Sequence, residues 1–134
     1  MTQPLEVLDA LVKFFSAFAP SERGFYRSGS LGRDQDKKIT IQVLELSDGK
    51  PQQLDVLAVL THRANGALFE NADKLLLELA NEIKLAIEKE SKSINSALDG
   101  KAIEFALTES IKILPPEPQD NDAKAVFSLR VKFK

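Results

Sequence analysis

The sequence predicts an α+β domain in the order α-β-β-α-β-β, an antiparallel four-stranded sheet with two helices packed on one face. Three observations predict it. Two stretches, Pro4–Ala19 and Asn71–Ile94, repeat apolar residues at steps of three and four, the spacing of one helix face. Stretches beginning near Ile39, Leu54, Ile103 and Ala123 alternate apolar and polar residues instead, the period of a strand with two different faces. The first two of these are separated only by a short turn, which suits antiparallel hairpins and not the long crossovers of a parallel βαβ sheet.

In the first helix, Pro4 occupies the first turn, where its missing N–H costs nothing, and Leu5, Leu8, Leu11, Val12, Phe15 and Phe18 carry the period until Pro20 stops it. Phe14 lies off that stripe, as a singly exposed ring or a contact with another subunit. The second helix carries Ala72, Leu76, Leu79, Ala80, Ile83 and Ile87 on one side, with Asn71 as the N-cap. Leu75, Leu77 and Leu85 widen its stripe and make room for a second contact surface.

The first hairpin has a register that can be written down in advance. Asp48-Gly49 favours a tight turn. If Ser47 pairs with Lys50, then Val43 meets Leu54, Ile41 meets Val56 and Ile39 meets Ala58, all on one face. The opposite face would carry Leu44, Leu57 and Val59, together with Val126 from the last strand, more apolar than solvent exposure requires. A third strand is expected over Lys101–Leu114 after a turn at Asp99-Gly100. Glu109 breaks its parity, as a bulge or an unburied strand position. Two further stretches read as loops within a single domain spanning residues 1–134: a flexible one at 21–37 and a Pro-rich one at 114–122.

Composition narrows the chemistry. A chain of 134 residues can bury roughly two-thirds of its unfolded surface, so neither metal nor disulfide is needed to hold it. With 18 basic and 20 acidic residues, the strong positive field of a nucleic-acid binder is missing. The absence of cysteine excludes thiol catalysis and cysteine-ligated zinc. His62 is the lone histidine and reads as structural or surface-exposed. Asp34/Asp36 and Asp120/Asp122 lack the rest of a calcium loop and read as solvated acids. No catalytic, cofactor or metal set is expected. The opening Met1-Thr2-Gln3-Pro4 lacks a signal-peptide pattern and no apolar run reaches membrane-spanning length, so a soluble cytoplasmic protein is expected.

The stretch Ser21–Asp36 gathers Arg23, Arg27 and Arg33 around Phe25 and Tyr26. A phosphate loop is excluded by spacing, because neither GxxxxGK[ST] nor GxGxxG is present. A solvated loop, an arm that orders on a partner, and a weak single-stranded nucleic-acid contact remain open.

The whole pattern resembles the tail terminator, or tail completion, minor tail proteins of long-tailed bacteriophages and prophages. The resemblance rests on chain length, on the first helix with Phe14, Phe15 and Phe18, and on the strand pair KITIQVLEL and QLDVLAVLTHR. It rests also on the helix LLLELANEIKLAIEK and on the closing pair AIEFALTESIKIL and AKAVFSLRVKF around a Pro-rich acidic loop. It covers nearly the whole chain as a pattern, without a short signature. It implies a structural protein, not an enzyme, that forms a homo-oligomeric ring, usually hexameric, on the tail tube, stops its growth and joins tail to head. The implied partners are further copies of itself, the tail tube protein and a head-completion protein, with no membrane, cofactor or sequence-specific nucleic acid. The implied location is the host bacterial cytoplasm during assembly and then the virion tail. A ring needs two different patches per subunit. The candidate interface residues are Phe25, Tyr26, Arg27 and Arg33 in the loop, and Leu44, Leu57, Val59 and Val126 on the second sheet face. The alternative is a small α+β module binding a ligand or nucleic acid through the arginine-rich loop 21–38.

Overall fold

A computed structural model describes residues 2–27, 29, 31–64, 71–93, 97–116 and 122–134. The chain is α+β, as the periods require, with two helices on one face of a sheet. The sheet, however, has six strands and is mixed.

Helix α1 (Pro4–Ser16) buries Val7, Leu11 and Phe15. The Glu6 carboxylate accepts a hydrogen bond from the Gln3 N–H at 3.1 Å and satisfies a donor the helix cannot use. The helix ends at Ser16, short of Ala19, and beyond it the Phe18 N–H makes the tighter three-residue bond to the Phe15 carbonyl at 3.0 Å. Helix α2 (Ala72–Ser91) buries Ala72, Leu76, Ala80, Ile83 and Ile87, the stripe its period marks. Asn71 stands at its N-cap without a side-chain cap bond.

The first strand, β1 (Ser21–Arg23), runs parallel to β2 (Lys37–Ser47), and β2 pairs antiparallel with β3 (Gln52–Arg63). Parallel pairing needs a long return, and residues 24–36 supply it. Three polar residues carry no period, so β1 is missing from the four-strand expectation. The β2–β3 register also differs from the simple turn: Ile39 meets Leu60, Ile41 meets Ala58 and Val43 meets Val56. Pro51 explains the difference. It has no N–H to give a ladder, so a strand resuming at Lys50 would be interrupted at once, and pairing begins at Ser47 and Gln53 instead. The shift is two residues, so the faces survive until a bulge between Val43 and Glu45 brings Leu46 opposite Leu54.

The expected third strand is two short ones, β4 (Glu104–Leu107) and β5 (Lys112–Leu114), both paired with the last strand, β6 (Asp122–Phe133). Leu107 pairs with Leu129 and Lys112 with Val126, so residues 108–111 stand against Phe127 and Ser128 alone and must bulge. Glu109, the parity break, sits in that bulge, exposed and 3.6 Å from Lys112. The strand order is thus β1-β2-β3-β6, with β4 and β5 sharing the far side of β6. Of the two loops expected from sequence, Leu114 belongs to β5 and Asp122 to β6, while residues 117–121 lie outside the described residues.

The core lies between the helices and one sheet face. Ile39, Ile41, Leu54, Val56, Phe105, Phe127, Leu129 and Val131 join the buried stripes of both helices in one cluster. Aromatic rings tie α1 to the far strands: Phe15 lies 6.4 Å from Phe127, and Phe14 lies 5.3 Å from Phe105 in an edge-on contact. Phe14 is therefore an intramolecular packing residue and not a lone exposed ring.

Candidate interaction surfaces

The sheet face away from the helices divides into two halves. After β1, the Gly24 N–H donates to the Ile41 carbonyl at 3.0 Å, and the Tyr26 N–H donates to Gln42 Oε1 at 3.0 Å. These bonds carry the chain over the edge of β2 and onto that face. At the other end, the Arg63 guanidinium donates to the carbonyls of Gly32 and Arg33 at 2.8 and 3.2 Å, and the Arg63 N–H donates to the Asp36 carbonyl at 2.7 Å. The described residues of 24–36 thus belong to an arm anchored at both ends. Over the sheet beneath it, Lys124 Nζ stands 5.9 Å from the centre of the Tyr26 ring and donates to the Asp122 carbonyl at 3.3 Å. Lys38, with its side chain only 9% exposed, lies 3.0 Å from Glu22. Long cations are tolerated under cover when their heads meet acids, carbonyls or rings and their stems are packed.

This geometry corrects the expectation of an uncovered second face. Val59 is 2% exposed, Leu57 and Val126 are half-buried, and Tyr26 points at the sheet. The stretch 21–37 is also not simply a free loop, since β1 occupies its first three residues and β2 begins at Lys37. Arg23 is engaged by Asp9 at 3.4 Å, while Phe25, Arg27, Arg33 and Leu44 are exposed. His62 is buried, its Nδ1 2.9 Å from the Arg63 carbonyl, which requires the proton on that nitrogen. Asp122 departs from the reading as a solvated acid: it is buried at the start of β6, opposite Arg63.

The other half of this face is open and polar. Glu45 stands opposite Asp55, which pairs with Arg130 at 3.0 Å. The hydrogen bond that Arg130 donates to that carboxylate raises the guanidinium pKa above its ordinary value. Folding therefore favours charged Arg130, a preference fully present below the ordinary arginine range and lost only as pH rises through it.

Exposed large apolar side chains stand on the helices at Leu5, Leu75 and Leu85, and the others gather toward the two edges of the sheet. On the β1–β2 edge, Phe25 is 82% exposed beside Leu8, Ile41 and Val43, and Leu44 and Leu46 continue the apolar strip along β2. Beyond Ile41, β2 has no strand on its outer side among the described residues. On the opposite edge, α2 and the β4–β5 bulge enclose an open groove of about 580 Å³, lined by Leu77, Ala80, Lys84, Leu107, Ile111 and Ile113. Leu77 is 60% and Ile113 45% exposed. Two signals for this groove stand in the sequence, the parity break at Glu109 and the off-stripe Leu77; their meeting is set by the sheet and by neither segment alone.

Among the described residues, no group of three or more potential ligands is placed to hold a metal ion, and no helix is long and apolar enough to cross a membrane. Comparison with protein-family models and with curated proteins finds no match.

Proposed function

We propose that this protein is a structural assembly protein resembling phage tail terminators: a ring, usually of six copies, that caps the tail tube, ends its growth and offers a surface for the head. It works by contact and not by catalysis, first in the host bacterial cytoplasm and then in the virion tail, between the tube protein and a head-completion protein. The observation that carries this reading is the distribution of exposed apolar surface. A protein with no self-contact gains nothing from gathering such side chains at both edges of its sheet. A subunit of a closed ring needs two unlike patches on different sides, and the Phe25 edge and the Leu77 groove have that relation. The arm lying on the second sheet face moves the expected contact from that face to the edges.

The test is assembly itself. Purified protein is concentrated, measured by mass in solution, imaged by negative stain, and then incubated with polymerising tail tubes. Closed rings, and tubes that stop at a defined end carrying the protein, are the expected outcome. A strict monomer that neither closes when concentrated nor binds tubes removes the reading.

A further inference from the structure

We propose that one copy of this chain docks head-to-tail on the next by inserting Phe25 into the groove between α2 and the β4–β5 bulge; this rests on the ring reading for closure, but the contact itself is argued from the two edges. Phe25 is the most exposed large hydrophobic side chain among the described residues. It is also held in place: the Gly24 and Tyr26 N–H groups on either side of it are both bonded to β2. A ring presented on a fixed backbone loses little freedom on docking, and aromatic anchors filling apolar pockets dominate interface energies.

The groove fits such an anchor in size and chemistry. Its volume of about 580 Å³ exceeds the roughly 150 Å³ that holds a benzene ring, leaving room for side chains beside Phe25 to enter with it. Its apolar walls come from Leu77, Ala80, Leu107, Ile111 and Ile113, and polar residues, Lys84 and Glu109 among them, complete the lining. Each surface also has an ion pair at its rim: Asp9 with Arg23 beside Phe25, and Glu109 with Lys112 beside the groove. An apolar centre inside a polar rim is the anatomy of a protein interface.

The occupant is a second copy because the two surfaces lie on opposite edges of the same sheet. A two-fold contact of the Phe25 edge with itself would leave the groove open, whereas a head-to-tail contact covers both surfaces with one repeated interface. Val43 and Leu44 beside the anchor, and Leu77 and Ile113 at the groove, supply area toward the roughly 800 Å² per partner that a stable contact requires.

Complementation of two variants tests this. Phe25→Glu removes the anchor and keeps the groove; Leu77→Glu spoils the groove and keeps the anchor. Both side chains are solvent-exposed, and unchanged circular dichroism and melting verify the fold, with Ile113→Glu as the second groove variant if Leu77→Glu melts early. Sedimentation velocity should show wild-type species larger than dimers, each variant alone monomeric with association weakened at least about tenfold, and an equimolar mixture forming a dimer and nothing larger. The dimer ceiling is decisive, since the mixture retains one intact anchor and one intact groove. Either variant assembling like wild type, or a mixture that fails to pair, overturns the contact while leaving ring formation to be judged by wild-type assembly. A wild type monomeric at every concentration also overturns it, and tube capping then decides the ring reading separately.

Discussion

The two faces of the sheet are covered by different means. The helix-covered face is apolar from Ile39 through Phe133, and its partners are stripes of α1 and α2 that are apolar at matching intervals. The arm-covered face mixes Thr40, Val59 and Thr61 with the buried Lys38, Lys124 and Asp122, and its cover is an irregular segment with one aromatic ring and a few backbone bonds. The first arrangement draws its stability from continuous packing, the second from a small number of specific contacts. The first tolerates little loss of volume; the second should be locally detachable without unfolding the rest.

The largest expected effect comes from breaking the helix-covered side. Phe127 is fully buried, opposite Ala58 and close to Phe15. Phe127→Ala removes apolar area and leaves a cavity that a sheet held on both sides cannot close, so a loss of about 3–5 kcal/mol is expected in denaturant unfolding. A loss under about 1 kcal/mol would mean that this face is no better packed than the other. Next in size is the arm. Tyr26→Ala removes the ring beside Lys124 and should cost about 2 kcal/mol. Hydrogen exchange of the arm amides should rise while the β3–β6 ladder stays protected. Equal loosening of both regions would show that the two faces unfold as one unit and that the comparison fails.

These differences track what was legible in the sequence. The helices and the inward faces of the long strands follow from period alone, because each residue's burial there is decided by neighbours three, four or two positions away. The parity of the first hairpin was legible, its register less so: a shift of two residues leaves Ile39, Ile41 and Val43 facing inward, and only the ladder chemistry of Pro51 and the bulge near Leu44 distinguishes the alternatives. The arm was the least legible part. Ser21–Arg23 is too short and too polar to show a period, and nothing local tells that Tyr26 meets Lys124, far along the chain. For the same reason the second face looked open. Leu57, Val59 and Val126 share that face, while Leu44, expected with them, falls in the β2 bulge at the edge; the cover comes from a segment whose own composition reads as loop. Of the interface candidates, Phe25 and Leu44 are exposed on the β1–β2 edge; off-stripe Leu77 marks a second contact surface in the sequence, while Ile113 reads there as an ordinary strand residue.

The smallest expected effect separates the ring of Tyr26 from its hydroxyl. The hydroxyl oxygen is buried and has no hydrogen-bond partner among the described residues, while the ring stands beside Lys124. If the arm is held by the ring and by the bonds of the Tyr26 and Gly24 N–H groups, Tyr26→Phe keeps everything that matters and removes a polar group whose burial is a cost. Stability should then be unchanged or rise by up to about 1 kcal/mol, with arm exchange as slow as in the wild type. A loss of more than about 1 kcal/mol would mean that the hydroxyl makes a bond worth keeping, and the arm-covered face would then be held by a polar network and not by an aromatic lid. The distinction matters for the Phe25 contact, because a ring on Tyr26 locked against the sheet is what keeps the next-door anchor pointing outward.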